Sequence, residues 1–278
     1  MKASFTLTPS ESRRLIAKGI VQMPEVRAAW EKAYIVLVGS TINGFVAQEL
    51  LGLDIEPQRY TAGINTNRLL CVTDPEERQA IPTVVYKGKI VEKTVPEVFE
   101  DFHLESVIIK GANAIDTEGN VGVITSGFDG GTIAATIGTV TSTGMKYIFG
   151  AGLEKRVPSV KEAAAYVGSK TMDYSMGANF GMYCLSNFPV VTEIEALRIL
   201  TGVETKLIAA GGMGGSEGSV VLVSTGEEDR VREAIDLVES VKGEPSVPGN
   251  KGTCAICLYP CRFQGIKEED LPKWLQNT

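Results

Sequence analysis

Short apolar runs that break off into small and polar residues punctuate this chain. Ile35-Val36-Leu37-Val38 gives way to Gly39-Ser40-Thr41-Ile42-Asn43-Gly44, and Val107-Ile108-Ile109-Lys110 to Gly111-Ala112-Asn113-Ala114-Ile115-Asp116. A third run, Val121-Gly122-Val123-Ile124, leads into Thr125-Ser126-Gly127-Phe128-Asp129-Gly130-Gly131-Thr132. Buried strands of a parallel sheet have this texture. Phe45, Val46, Leu50 and Leu51 then recur at helical spacing, so the first run predicts strand, loop and helix. Open α/β sheets bind ligands beyond the carboxyl ends of their strands. Small residues there let a ligand approach the backbone, and a helix start offers free N–H groups to an anion. The pattern predicts an α/β fold: an open, mostly parallel sheet with flanking helices and an anion-binding cleft.

The remaining periodicity fills in the elements. Thr8-Pro9-Ser10-Glu11 reads as a capping box with proline at the first helical position, opening a helix to about residue 18. Helices are expected over residues 26–32, 96–102, 131–140 and 159–166, and strands at 69–72 and 146–149. Residues 83–86 and 89–91 flank Lys87-Gly88 as a hairpin. Residues 171–187 mix Met and Tyr with Gly, Ser and Asn and read as a loop-rich connector beside the cleft.

From Pro189 the pattern becomes helix, strand, strand, helix, ending in an amphipathic helix with Val231, Ala234, Ile235 and Val238 on one face. This predicts a small α+β, ferredoxin-like subdomain at 188–248, inserted into a main α/β domain formed by 1–187 with 249–278. Gly211-Gly212-Met213-Gly214-Gly215 joins its two strands and lacks the Gly-Lys-Ser/Thr ending of a phosphate loop. It reads as a hairpin tip, with a lid over the cleft as the functional alternative.

Composition narrows the function classes. The 278 residues carry a net charge of −7, which argues against a nucleic-acid partner. No apolar run is long enough for a membrane span, and residues 1–5 show no signal-peptide core, so a cytoplasmic location is expected. The single histidine, His103, excludes multi-histidine metal sites and follows a helix end, where the dipole favours it. Proton transfer is left to Asp, Glu, Lys or Cys. The chain holds five cysteines, an odd count that does not suggest a secreted disulfide framework.

Four stretches resemble the lactate-utilisation (LUD) domain family: Gly39-Ser40-Thr41 with Glu49 in the following helix; Gly111-Ala112-Asn113-Ala114-Ile115 through Thr117-Glu118-Gly119; Gly130-Gly131-Thr132-Ile133-Ala134; and Gly152-Leu153-Glu154-Lys155-Arg156-Val157-Pro158. The resemblance spans roughly residues 35–165. It implies the fold group of ribose-phosphate isomerases, glucosamine-phosphate deaminases and CoA transferases, which hold phosphorylated sugars or CoA thioesters above the strand ends. The unit at 188–248 is not part of that pattern. Isomerases of the group carry an acid–base Asp where this chain has Asn113, and an amide cannot exchange protons near neutral pH. Asp116 is the nearest substitute, and its other reading is a turn cap. Glu118 matches the CoA-transferase nucleophile by loose analogy.

The expected ligand is therefore a small anionic metabolite, phosphorylated or CoA-linked, handled by an isomerase or transferase. Gly39, Ser40, Thr41, Asn43, Gly111, Asn113, Gly130, Gly131 and Thr132 are the candidate binding residues, and Asp116, Asp129 and Glu118 the candidate catalytic ones. Glu154-Lys155-Arg156 reads either as a contact for an acidic substrate or as solvated surface. A different reading comes from Cys254, Cys257 and Cys261, whose C-x2-C-x3-C spacing suits zinc or an iron–sulfur cluster, with Cys184 or Cys71 as a fourth ligand. That reading makes the chain a redox or scaffold module. Against it, the segment is apolar and reads equally as a buried strand with inert thiols, packed back on the main domain. A non-catalytic protein in which Asn113 marks a lost active site is the third reading. Self-association as a homo-oligomer or docking to a redox partner is left open.

Overall fold

The computed structural model describes residues 1–79, 82–101 and 103–276. Phe102, at the end of the helix expected over 96–102, lies outside the described residues. The chain opens on a strand that the sequence reading did not anticipate, β1 (Lys2–Leu7), with Leu7 fully buried. Helix α1 (Pro9–Val21) follows, and Thr8 and Glu11 form the expected capping box. Leu15, Ile16 and Ile20 turn its apolar stripe into the core. After α2 (Pro24–Lys32) comes β2 (Tyr34–Leu37), buried throughout, and α3 (Thr41–Leu51), capped by Ser40. Two hairpins follow: β3 (Gly63–Thr66) with β4 (Leu69–Val72), and β5 (Thr83–Tyr86) with β6 (Lys89–Val91). Both turn through paired positive-φ residues, Asn67-Arg68 and Lys87-Gly88.

The second half supplies α4 (Val95–Glu100), β7 (Val107–Gly111), β8 (Ala114–Ile115), β9 (Val121–Thr125), α5 (Gly131–Thr143) and β10 (Lys146–Gly150). It continues with α6 (Val160–Tyr166), β11 (Gly181–Leu185), β12 (Val190–Val191) and α7 (Glu193–Thr201), then β13 (Glu204–Gly211), β14 (Ser219–Thr225) and α8 (Glu228–Ser240).

The fold is mixed α/β. The central six-stranded sheet runs β12-β10-β7-β2-β5-β6. Its first four strands are parallel, and the β5–β6 hairpin adds antiparallel strands at one edge, so the sheet is mixed. The third apolar run is not in it. β9 pairs antiparallel with β8 and β11 in a separate sheet. The reason is the short link between β8 and β9, which turns back through Asp116 and Asn120, whereas a parallel return needs a crossover of a dozen or more residues. β11 also replaces part of the loop expected over 171–187.

Helix α7, strands β13 and β14, and helix α8 form as the pattern predicts, and β1 completes their sheet in the order β1-β14-β13. Helix α7 packs on α1 at Gly19, where a Cβ would come within 2.7 Å of Ala196 Cβ. One contiguous apolar cluster takes in Ile35 and Ile108 of the central sheet together with Leu197, Leu222 and Val231.

The C-terminal segment returns to the body of the molecule, but not as the expected strand. It runs through short 3-10 turns at Cys254–Ile256 and Glu268–Asp270. Cys254, Phe263, Leu271 and Leu275 gather around Leu69 in a satellite core, while Ile256 and Leu258 stay 71% and 86% exposed. Gly252 N–H donates to Val72 O at 2.9 Å and fastens the segment to β4. Pro260 has no N–H for a ladder, which suits a turn better than a strand.

Candidate functional site

The parallel strands β2, β7 and β10 all point their carboxyl ends at one cleft, and β9 delivers its loop to the same place from the second sheet. The cleft encloses about 820 Å³. Gly39, Ser40, Thr41, Gly111, Asn113, Asp129, Gly130, Gly131 and Thr132 all line it, as do the β3–β4 hairpin, Val247-Pro248-Gly249 and Tyr259. Gly111 is required by close packing: a Cβ there would stand 2.7 Å from Ser40 Cβ and 2.9 Å from its Oγ. Ser40 Oγ accepts the Asn43 N–H at 3.1 Å and so caps α3 beside the cleft. Helix α5 starts at the cleft without a side-chain cap, although Asp129 Oδ1 accepts the Gly131 N–H at 2.9 Å. Asn113 spends its amide oxygen on the Ile124 N–H at 3.0 Å.

The charge of this wall is opposite in sign to that of the whole chain. Arg13, Lys110, Lys155 and Arg156 line the cleft against Asp129 and Glu154, four cations to two carboxylates, in a protein of net charge −7. Lys110 terminates β7. Its ammonium has no hydrogen-bond or ion-pair partner among the described residues, and burial brings its pKa down to about 8. The little surface it keeps lies in the cleft wall. Lys155 reaches from the loop after β10 to the Ala112 carbonyl at 2.7 Å, joining two walls. Its pKa is lowered, chiefly by burial. Arg13 Nη2 stands 3.9 Å from Glu154 Oε1, yet Arg13 Nε and both Glu154 oxygens are buried without hydrogen-bond partners. Beneath them Glu193 accepts the Leu153 N–H at 2.9 Å. Burial, and then the Glu154 carboxylate, push Glu193 up to about 7.

Several sequence candidates lie elsewhere. Asn43 is fully buried under the cleft floor and donates to the carbonyls of Val38 and Ile109, both at 2.6 Å. Asp116 and Glu118 do not line the cleft. Asp116 Oδ1 accepts the N–H groups of Glu118 and Asn120 at 3.0 Å, and its Oδ2 accepts Val160 N–H and Asn120 Nδ2 at 2.9 Å. Burial works to raise the Asp116 pKa, but the hydrogen bonds from Asn120, Val160 and Glu118 outweigh it and hold the carboxyl below its usual range. With its oxygens committed to four donors, Asp116 acts as a turn anchor. Glu118 is exposed on the same turn. The glycine-rich residues 211–215 form the exposed tip between β13 and β14 and do not reach the cleft.

The cysteines are all free. Cys184 is exposed on β11, far in sequence and surroundings from the tail, whereas Cys71 and Cys261 pack on the satellite core that holds Cys254. Burial, helped by the neighbouring Cys254 and Cys257, raises the pKa of Cys71 against a backbone hydrogen bond that works to lower it. Cys261 is raised too, first by burial, so it lacks the lowered pKa of a reactive thiol. Cys71 and Tyr259 line the cleft, but Cys257 and Cys261 do not. Among the described residues, no three His, Cys, Asp or Glu side chains are already gathered as a shell that could hold a metal ion.

As residues of the cleft wall, Lys110, Arg13 and Cys71 were not expected, although Cys71 was expected as a possible fourth metal ligand. Lys110 had a signal: a lysine closing a buried apolar strand one residue before its glycine turn. Arg13 and Cys71 had none, because their place in the wall depends on long-range packing. No protein-family model, curated protein or solved structure matches the chain. No helix among the described residues is long and apolar enough to cross a membrane.

Proposed function

We propose that the cleft binds a small anionic metabolite, a phosphate, carboxylate or CoA-linked compound, in a LUD-like protein of the isomerase and CoA-transferase fold group. The observation that carries this reading is the unpartnered ammonium of Lys110 in a wall where cations outnumber carboxylates, within an acidic chain. The start of α3 at Ser40-Thr41 and the start of α5, where Asp129 holds the Gly131 N–H and Thr132 follows, add N–H groups of the kind that hold anions. Arg13, Lys155 and Arg156 supply further positive charge. Asp129 is the remaining acid–base candidate in the wall, since Asp116 and Glu118 stand outside it. Isomerase or transferase chemistry is the activity the resemblance favours. Thermal-shift measurements against sugar phosphates, hydroxy acids and CoA esters test it. Stabilisation by one of these classes, weakened in Lys110→Gln, is expected; no shift from any of them in folded protein overturns it.

A second reading is supported by Cys71. Of the two candidate fourth ligands, it alone packs with the tail cysteines, on the same satellite core as Cys254 and Cys261. On this reading zinc or an iron–sulfur cluster draws Cys71, Cys254, Cys257 and Cys261 together, and binding energy orders the tail. Anaerobic purification with metal analysis of wild type, Cys71→Ser and Cys184→Ser tests it. Metal lost in Cys71→Ser but kept in Cys184→Ser supports the reading, and metal-free wild type removes it.

A further inference from the structure

A half-buried amine with no protein partner is costly unless the site uses it. Two of the four cations in the cleft wall have partners for their side chains: Lys155 is tied to Ala112 O and Arg13 faces Glu154, while the Arg156 side chain is exposed to solvent. Lys110 has none among the described residues. It is also the cation carried by a central parallel strand, fixed opposite Phe149 of β10 with Gly111 next to it. Gly39, Gly111 and Ala112 leave the backbone around it without bulk. Arg13, Lys155 and Arg156 share with Lys110 the work of answering a bound anion's charge, which leaves the Lys110 amine free to react when it sheds its proton.

We infer that Lys110 is a nucleophile: its Nζ condenses with the carbonyl carbon of a small aldehyde or ketone that carries a carboxylate or phosphate. The inference rests on the anion-binding reading of the same cleft and goes beyond it by naming a reactive atom and a substrate class. The neutral amine adds its lone pair to the carbonyl carbon, and the carbonyl π pair moves to oxygen, which takes up a proton. The carbinolamine then expels that oxygen as water, giving a protonated C=N bond to Nζ. Overall one amine, one carbonyl and one proton yield one iminium and one water, with no change of oxidation state. The iminium draws electrons from the adjacent carbon, which is the chemistry that proton shifts and carbon–carbon cleavage next to a carbonyl require.

The state of the amine supports the geometry. With its pKa brought down to about 8, roughly 10% of Lys110 is neutral at pH 7, about 300-fold more than for an ordinary lysine. Lysines on the surface are therefore poor competitors.

The test uses the full chain with pyruvate or glyceraldehyde 3-phosphate and sodium cyanoborohydride, which reduces an iminium to a stable secondary amine. Intact mass gives stoichiometry and peptide mapping gives the site. Lactate and glycerol 3-phosphate, which lack a reactive carbonyl, are measured by thermal shift on the same preparation. One reduced adduct per chain at Lys110, absent from folded Lys110→Arg, is expected. The carboxylate and phosphate arms show which anion the cleft prefers. Stabilisation by lactate or glycerol 3-phosphate without a Lys110 adduct overturns the covalent role and leaves the anion site standing. Adducts spread over several lysines, or equal labelling in Lys110→Arg, also overturn it. If none of the four compounds stabilises the protein and none is trapped, the anion reading falls and this inference with it.

Discussion

Asn43 donates its side-chain amide to the carbonyl oxygen of Ile109 at 2.6 Å, and to Val38 at the same distance, tying β2 to β7 at the point where the two strands part. The turns on either side of that tie, Gly39–Thr41 and Gly111–Asn113, are the heart of the cleft. Asn43 therefore shapes the site from underneath. Replacing it with alanine takes the side-chain donor from the Val38 carbonyl and leaves the Ile109 carbonyl with the Val38 N–H alone, and Asn43→Ala is expected to cost about 1–3 kcal/mol of unfolding free energy. Urea denaturation checks this. A loss below about 1 kcal/mol would mean that the strand ends hold without the tie.

Lys110 carries a cost of the opposite kind. Its folded pKa of about 8 lies below the ordinary lysine value, so the unfolded chain binds the proton more tightly. Stability contributed at this position is complete above about pH 10.5, falls as pH drops toward 8, and stays low beneath that. Lys110→Met is therefore expected to stabilise the protein by roughly 1–3 kcal/mol at pH 7, with the gain vanishing near pH 10.5. Denaturation curves of both proteins across that range measure it. An unchanged or lower midpoint at pH 7 would contradict the burial cost.

The local signals in the sequence translated directly into structure. Thr8 and Glu11 make the capping box, Lys87-Gly88 turns the hairpin, and Ile35 through Asn43 gives strand, turn and helix. Each depends on neighbours within a few residues. What was hidden depends on distant partners. Ala3, Phe5 and Leu7 alternate as a strand should, but their partner β14 begins more than two hundred residues later. Val121 to Ile124 has the same texture as the parallel strands, and only the short return from β8 puts it in an antiparallel sheet. The candidate binding residues were legible because small residues after strand ends have one common cause. The cationic wall was not, because Arg13 reaches it from a helix whose sequence reads as ordinary amphipathic surface.

Gly111 tests how tightly the two central turns must fit. A methyl group at this position meets Ser40 Cβ at 2.7 Å, and β-carbons cannot rotate away from one another. Gly111→Ala is expected to push the Ser40 turn outward, at a cost of about 1–3 kcal/mol, and to diminish any anion-induced thermal shift. Normal ligand stabilisation in a destabilised Gly111→Ala protein would separate the packing of the turn from its part in binding.

Glu193 gives the fold a pH dependence in the acid range. Its carboxyl is pushed up to about 7 in the folded protein, against an ordinary value near 4.5. The unfolded chain ionises first, so this position loses stability as pH rises from about 4.5 to 7 and is level above that. Glu193→Gln keeps an oxygen for the Leu153 N–H and removes the titration. The variant is expected to be the more stable of the two at pH 8 and nearly equal to wild type at pH 4.5. Parallel pH dependences for the two proteins would show that Arg13 neutralises the charge in place.

Asp116 and Asp129 looked alike in the sequence, each an acidic residue in a glycine-rich turn, and the structure gives them opposite expectations. Asp116 accepts from four donors in a buried turn, so Asp116→Ala strands backbone N–H groups of Glu118, Asn120 and Val160 and should cost about 2–4 kcal/mol. Its carboxyl lies below the usual range, so this contribution is intact at neutral pH and is lost as acid protonates it, below about pH 4. Asp129 is exposed and makes one hydrogen bond, to Gly131 N–H, so Asp129→Ala should change stability by less than about 1 kcal/mol. It also removes one of the two carboxylates in the cleft wall, and tighter binding of a simple anion such as phosphate should follow. Paired denaturation and phosphate titrations of the two variants decide the assignment. A stable Asp116→Ala protein with altered anion binding, beside an Asp129→Ala protein with unaltered binding, would reverse the two roles.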